Sequence, residues 1–317
     1  MMRPESARGP HVPAPARPGS TDELERLADA VLGPASPVTA AVQRSLAAPT
    51  LRLIALDDVI KDGADPEAIH QARIATRRLR ANLGTLRALM QPEVAQRLRF
   101  EFSWLGGALG AVRDLDVLEA RFGARAARLG SHDNRATERL LSGMAASRAE
   151  AHGALMDMLR SSRYKELIRT SSEAVIGVPE SGELAADAFR PLMNARWTRL
   201  RRAFEGLTPG SSDEQLHAAR IAAKRARYAA EAFEPVYGGR ARKFVRRATA
   251  LQDVLGEHQD AVSAQEWLRR KASRSTSTVA FVAGELAAEE KRARARARSS
   301  WPAAWRDLAR PGVRFWT

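Results

Sequence analysis

A cationic helical segment occurs twice in this chain, 147 residues apart. The first copy runs from Ile69 to Arg80 and the second from Leu216 to Arg227. In each copy a histidine is followed by basic residues three, seven, eight and ten positions later. Basic side chains grouped in this way can donate charge-assisted hydrogen bonds to phosphate or carboxylate oxygens. The repeated spacing therefore predicts a duplicated helical unit that binds a polyanion.

The basic residues lie beside the apolar stripe that each helix is predicted to bury. In the first copy, Ile69, Ala72 and Leu79 follow three-and-four spacing, and the cations lie one position further on, about 100° around the helix. A solvated helix face normally places Glu four residues from Arg. No acidic residue, however, lies between Ala68 and Met90. The uncompensated charge favours an anion site over an ordinary solvated face.

The charge of the whole chain supports the same interpretation. Its 317 residues include 51 Lys and Arg against 37 Asp and Glu, a formal net charge of +14, and only six of the basic residues are Lys. Arginine presents a planar fork that binds phosphate oxygens in pairs. Such a charge attracts phosphate polymers or anionic surfaces. The sequence has no Cys, which excludes disulfides, thiolate metal sites and cysteine nucleophiles.

Helices are predicted for nearly all of the sequence after Thr21, because Ala, Leu, Arg and Glu dominate and apolar residues recur at three and four. A short first helix is predicted to end at Gly33-Pro34, and a linker follows Ile176. The further predicted helices are 38–61, 66–90, 92–110, 114–129, 133–161, 184–207, 213–233, 240–255, 260–271 and 276–299. The predicted fold class is therefore all-α.

The order of motifs predicts two pseudo-symmetric helical bundles. A second pair of segments, Leu109–Asp116 and Leu255–Val262, matches at an offset of 146 residues. We predict a disordered tail over 1–20, a first helical half over 21–177, a second over 178–300 and a C-terminal tail over 301–317. No segment has the apolar length of a membrane span or a signal peptide.

Two aspartates and two histidines accompany the cationic rows. Asp114 and Asp260 follow glycines that are predicted to end the third helix of each half, so each would cap the next helix or hydrogen-bond to an arginine of the site. His70 and His217 are predicted to donate to the anion or to orient the arginines beside them. Metal ligation is disfavoured because apolar residues occupy the i+4 positions.

The doubled motif resembles the CHAD domain, the conserved histidine α-helical domain. Each copy reads His-x-x-Arg-(x)3-[Arg/Lys]-Arg-x-Arg and is followed by Leu-Gly and then Asp, and the resemblance covers residues 38–299. It implies two four-helix bundles related by a pseudo-twofold axis, around a basic cavity that binds inorganic polyphosphate. It also implies association with polyphosphate granules. The matching positions are His70, Arg73, Arg77, Arg80, His217, Arg220, Lys224 and Arg227, with Arg97 and Lys243 as secondary candidates.

We therefore expect a non-enzymatic, cytoplasmic polyphosphate-binding protein at polyphosphate granules, without a cofactor, a metal or a membrane partner. The sequence has no phosphate-binding Gly-rich loop, no serine elbow and no Glu-x-Glu-x-Lys signature of a triphosphate tunnel. The alternatives are a general polyanion- or nucleic-acid-binding protein and a polyphosphate phosphohydrolase. Tyr228 and Phe233 are predicted to lie outside the cationic rows, whereas a single-stranded nucleic-acid groove would interleave aromatics with charge. Nucleic acid is therefore expected only as a non-specific competitor.

Overall fold

The chain folds into ten α-helices and one short 3₁₀ helix within residues 21–62, 66–127 and 134–317, which the computed structural model describes. The all-α prediction is confirmed. The predicted tail over 1–20 lies outside the described residues. The α-helices are α1 Thr21–Asp29, α2 Val38–Lys61, α3 Pro66–Thr85, α4 Pro92–Ala126, α5 Asn134–Arg160, α6 Ser162–Ile176, α7 Ala185–Phe204, α8 Asp213–Tyr237, α9 Gly239–Ala272 and α10 Ser277–Leu308.

Two predicted helix breaks are absent. Helices α4 and α9 run without interruption through Gly110 and Gly256, so the prediction that these glycines end a helix is wrong. A glycine inside a helix costs only about 1 kcal/mol relative to alanine. The apolar residues on either side, Leu109 and Leu255 among them, are buried in the core. Their burial outweighs the cost of the glycine.

The segment predicted as a C-terminal tail, 301–317, packs on the helices through its tryptophans. Helix α10 continues to Leu308, and Trp301 lies in its buried face. After the helix ends, the Trp316 indole N–H donates to Asn194 Oδ1 at 2.5 Å. Buried aromatic surface therefore attaches this segment to α7 and the core.

Corresponding helices of the two halves start at a constant separation. The first residues of α2 and α7, of α3 and α8, and of α4 and α9 are each 147 positions apart. Pro37 and Leu184, which precede α2 and α7, form an isolated antiparallel bridge. This bridge holds two equivalent helix starts side by side. Descent from a duplicated unit remains a prediction.

Both halves contribute to one main apolar core. Phe102 of α4, Phe189 of α7 and Phe233 of α8 are fully buried in it. A smaller core joins the C-terminal ends of α4 and α9 to α5 and α10, around Phe122. This packing places α3 beside α8. None of the described helices is both long and apolar enough to cross a membrane.

Candidate functional site

The cationic rows are carried by α3 and α8, whose apolar stripes fix which side faces the core. Ile69 and Leu79 of α3 and Leu216 of α8 are buried, as their spacing predicted. The start of α8 is set by a capping box: the Ser212 hydroxyl accepts from the Gln215 backbone N–H, and the Gln215 side chain accepts from the Ser212 N–H. The cations therefore project from rigid helices and not from loops.

Arg77 and Lys224, which hold equivalent positions in the two copies, meet at Tyr228. The Arg77 guanidinium carbon lies 5.7 Å from the centroid of the Tyr228 ring, and the Lys224 amine lies 6.0 Å from it. Arg77 also donates a hydrogen bond to the Tyr228 hydroxyl. The prediction that Tyr228 lies outside the cationic rows is therefore wrong. Since Tyr228 is one turn after Lys224, it projects from the same face of α8.

A cavity of about 440 Å³ lies next to this cluster. Helices α3, α4, α7 and α8 all contribute to its lining, which includes no carboxylate among the described residues. Arg196 of α7 is fixed there because its guanidinium donates to the Gly84 carbonyl at 2.9 Å and to the Thr85 hydroxyl at 3.2 Å. The basic lining residues are Arg77, Arg80, Arg99, Arg196, Arg199, Lys224 and Arg225.

Burial and mutual repulsion lower the pKa values of three of these side chains, Lys224, Arg80 and Arg196. The pKa of Lys224 falls from 10.5 to about 7, through burial first and then through the charges of Arg77 and Arg220. Burial also lowers the pKa of Arg80 and of Arg196, and neighbouring guanidinium groups add to both shifts. A bound anion would compensate this concentrated positive charge. The cavity is therefore electrostatically suited to a multiply charged anion.

Arg73 continues the cationic row of α3 and is oriented by Asp114. Its guanidinium donates to Asp114 Oδ1 at 2.9 Å. A side chain at Gly110 would collide with that guanidinium, so glycine provides the space for it. Because α4 is continuous, Asp114 lies inside a helix and cannot be an N-cap. It takes the second of its two predicted roles, as a hydrogen-bond partner of an arginine.

The second half does not reproduce this pair. Within the described residues, neither Arg220 nor Asp260 forms an ion pair, and burial raises the pKa of Asp260. Asp260 also lies inside a continuous helix, so its predicted capping role is wrong. His217 Nδ1 is 2.6 Å from Gln259 Oε1, which holds the imidazole at the surface. The two cationic rows are therefore similar in spacing but not in their polar contacts.

His70 differs from its counterpart because it is partly buried. Burial lowers the pKa of its imidazole, and the charge of Arg113 lowers it further. The ring is consequently neutral at neutral pH. No group of three or more His, Asp or Glu residues is arranged to hold a metal ion in the described part of the chain.

Of the ten predicted residues, only Arg77, Arg80 and Lys224 are in the described lining of the cavity. Arg73, Arg220 and the two histidines extend the cationic rows beyond it, and the remaining three are placed as follows. The Arg227 guanidinium packs on Tyr228, with 4.9 Å from its central carbon to the ring centroid, and lies 3.5 Å from Glu231. Arg97 is exposed and lines a separate shallow depression of α4. Lys243 is exposed on α9. Arg227 therefore adjoins the cavity through Tyr228, whereas Arg97 and Lys243 are not part of its described lining.

Other lining residues were missed, and part of the signal for them was present in the sequence. Arg196 and Arg199 lie one turn apart on α7, and no acidic residue occurs between Asp187 and Glu205. The absence of acidic residues was also the signal that identified α3 as a candidate anion-binding helix. The charged and aromatic lining residues outside the predicted set are Arg99, Arg196, Arg199, Arg225 and Tyr228.

The family model of the CHAD domain matches residues 44–269. Two curated relatives come from Mycobacterium tuberculosis: the uncharacterized protein MT2285 of strain CDC 1551 / Oshkosh and the uncharacterized protein Rv2226 of strain H37Rv. Each is 28% identical over 286 residues, which are 87% of this chain and 53% of the relative. The chain thus spans about half the length of the curated relatives it matches.

Two solved structures share the fold. The CHAD domain from the plant Ricinus communis is 25% identical, with a TM-score of 0.72 over 94% of this chain and 97% of that domain. PptA from Streptomyces chartreusis is 24% identical, with a TM-score of 0.71 over 86% of this chain and 100% of PptA. The helical arrangement described above is therefore similar to that of experimentally determined proteins.

Proposed function

Since this chain belongs to the CHAD domain family, we propose that it binds inorganic polyphosphate, without catalysing a reaction on it, in the cavity formed by α3, α4, α7 and α8. One observation carries the proposal: seven basic side chains line that cavity without a carboxylate among the described residues. Polyphosphate carries about one negative charge per phosphate and no bases, so a site for it needs charge density and forked donors. Binding of this kind would place the protein at cytoplasmic polyphosphate granules.

The rigid arrangement of the cations favours a polymer of phosphate over a single ion. Arg77 and Lys224 approach the chain from different helices, while Arg73 and Arg220 extend the cationic rows beyond them. Each phosphate unit would exchange water for guanidinium or ammonium donors, and each neutralised unit would release counterions. Because Arg77 is already held by Tyr228 and Arg196 by the Gly84 carbonyl, little side-chain entropy would be lost at these two residues on binding.

The position of Tyr228 does not favour nucleic acid. Tyr228 is the one aromatic residue in the described lining of the cavity, and it is only 6% exposed. Its ring is surrounded by the charged groups of Arg77, Lys224 and Arg227. A base would have to displace these cations in order to stack on the ring. The site therefore fits a backbone of phosphates better than a base-bearing strand.

A competition experiment tests this function. Labelled long-chain polyphosphate is bound to the purified protein at physiological salt and challenged with unlabelled polyphosphate, duplex DNA or single-stranded RNA at equal phosphate concentration. We expect polyphosphate to compete at least about tenfold better than either nucleic acid, because the described lining of the cavity offers cations but no free aromatic ring on which a base could stack. Equal competition by nucleic acid would instead indicate a general polyanion surface. Shortening of polyphosphate during incubation, visible on a gel, would contradict the non-enzymatic part of the proposal.

Lys224 is expected to make binding depend on pH. With a pKa of about 7, its amine is roughly half protonated in the free protein at neutral pH. A bound polyanion stabilises the ammonium form and raises its pKa, so binding takes up a proton above pH 7. The contribution of Lys224 to affinity is therefore fully present below pH 7 and declines as the pH rises above 7.

Calorimetry at pH 8 in buffers of different ionisation enthalpy measures this proton uptake. We expect uptake of up to about one proton per site in the unmodified protein. Lys224→Arg is the matched variant, since a guanidinium remains charged over the whole range. It should lose the uptake and bind equally well at pH 7 and pH 9. Proton uptake that persists unchanged in Lys224→Arg would assign the effect to another group.

A further inference from the structure

The cationic cavity has a counterpart on the other side of the α3–α8 pair. We name the first the α7-side cavity, after Arg196 and Arg199, and the second the α2-side cavity, after Arg44 and Pro49. The α2-side cavity has a volume of about 730 Å³. Four lining residues of the α7-side cavity have counterparts 147 positions away in the lining of the α2-side cavity: Gly84 and Glu231, Thr85 and Ala232, Arg196 and Pro49, and Arg225 and Arg78.

The two equivalent cavities differ in charge. Three arginines and three carboxylates line the α2-side cavity, so their formal charges cancel. Arg78 lies 3.7 Å from Glu231, and Arg242 lies 3.5 Å from Glu234. Arg44 donates to a backbone carbonyl. In the α7-side cavity the arginines instead contact neutral groups such as the Gly84 carbonyl. Only the α7-side cavity therefore presents uncompensated positive charge to a ligand.

Two differences between the halves account for this contrast. Where α3 has Gly84, α8 has Glu231, whose carboxylate lies 3.5 Å from Arg227 as well as near Arg78. Arg80, the counterpart of Arg227, has no ion pair within the described residues and lines the α7-side cavity. Where α7 has Arg196, α2 has proline. The helix starts of the two halves repeat at constant spacing, but the charged residues at equivalent positions of the two cavities differ.

The basic surface also continues beyond the α7-side cavity. An adjoining cavity of about 400 Å³ shares Gly84, Thr85, Arg196 and Arg199 with it and adds Arg87. A polymer that extends from the α7-side cavity into the adjoining one therefore meets one further guanidinium group, that of Arg87. On the α2 side, a phosphate chain would instead meet the carboxylate of Glu231, which already pairs with Arg78 and Arg227 and has the same sign of charge as the phosphates.

We propose that polyphosphate held between Arg77 and Lys224 leaves the central site on one side only, through the α7-side cavity, and that Glu231 excludes it from the α2-side cavity. Arg99 and Arg199 are then additional binding residues. The inference rests on the proposed binding of polyphosphate. It predicts that these arginines matter for long chains, which extend through the α7-side cavity, and matter little for tripolyphosphate, which the central cations alone can bind.

Matched double variants test the one-sided path. Arg99→Ala with Arg199→Ala removes two cations of the α7-side cavity. Arg246→Ala with Arg52→Ala removes their counterparts, 147 residues away, which are exposed and produce the same change in net charge. We expect the first pair to weaken binding of long-chain polyphosphate by at least about tenfold and binding of tripolyphosphate by less than about threefold. The second pair should change both affinities by less than about threefold.

Glu231→Gln tests the other part of the proposal, since it removes the charge at nearly constant volume. It should free Arg78 and Arg227 and raise the affinity for long-chain polyphosphate by about fivefold. Glu234→Gln, at the same cavity, is the control and should have a smaller effect because its partner Arg242 is exposed. Circular dichroism and thermal unfolding establish that each variant is folded.

The possible results separate the two proposals. If the unmodified protein does not bind polyphosphate, the proposed function itself fails. If it binds, but the Arg99/Arg199 and Arg52/Arg246 variants lose equal affinity for long chains, the one-sided path is overturned while the central site stands. An unchanged or reduced affinity in Glu231→Gln would likewise overturn the exclusion assigned to Glu231.

Discussion

Simultaneous replacement of Arg73, Arg77, Arg220 and Lys224 by alanine is expected to abolish tight binding of polyphosphate. Each of these side chains is available for charge-assisted hydrogen bonds, which contribute about 1.5–3 kcal/mol apiece when formed. Such contributions are not additive within one cluster, but a loss of more than about 100-fold in affinity follows even from a fraction of their sum. Titration of labelled long-chain polyphosphate at two or more salt concentrations measures this loss.

The salt dependence gives a second, independent signature. Loss of four phosphate contacts should reduce the slope of log affinity against log salt by about three, if counterion release per contact resembles that of single-stranded nucleic acid. The matched control replaces Arg139, Arg269, Arg270 and Arg274, which are exposed away from the cavity, and lowers the net charge equally. This control should keep most of the affinity. Similar losses in both variants would show that net charge, and not the site, determines binding.

The quadruple variant should remain folded. None of the four side chains belongs to the apolar core. Burial and neighbouring cations lower the pKa values of Arg73 and Lys224, which shows that their charged forms are disfavoured in the folded protein. Removal of these charges should leave the free energy of unfolding unchanged or slightly higher. Unfolding of the variant under native conditions would mean that the cations stabilise the fold.

Glu290→Ala is expected to have the largest effect on stability. Glu290 of α10 is fully buried, and both of its carboxylate oxygens accept from Arg121 of α4, at 2.8 and 2.6 Å. Arg125 Nε lies 2.5 Å from the same carboxylate. Removal of Glu290 would leave two largely buried guanidinium groups with Glu257, which is 43% exposed, as their remaining partner. Removing one partner of a buried ion pair in this way lowers the free energy of unfolding by about 3–5 kcal/mol.

Denaturant unfolding monitored by circular dichroism measures this cost. Glu289→Ala is the matched control, because Glu289 precedes Glu290 and pairs only along the helix surface with Arg292. A pair of that kind contributes less than about 1 kcal/mol. Equal unfolding midpoints for the two variants would contradict a stabilising role for the buried network. Because this network lies outside the α7-side cavity, the folded fraction of Glu290→Ala should still bind polyphosphate.

Features that depend on local spacing could be predicted from the sequence. The predicted helix over 38–61 coincides with α2, and the buried stripe of α3 follows the predicted positions. The cationic side of α3 was predictable for the same reason, since a helix with a fixed buried stripe fixes the direction of every other side chain. Helix breaks were predicted less well. Gly110 and Gly256 have low helix propensity, but packing of their neighbours on both sides keeps α4 and α9 continuous.

The sequence by itself determined the all-α class, the repeated cationic rows and the resemblance to the CHAD family, because helical periodicity and motif spacing are properties of neighbouring residues. The tertiary structure alone decided which helices complete the cavity. Arg99 and Arg196 reach it from α4 and α7, Tyr228 separates its central cations, and Glu231 neutralises the equivalent position on the other side. These relations depend on how helices distant in sequence are rotated and packed against one another, which local spacing does not specify.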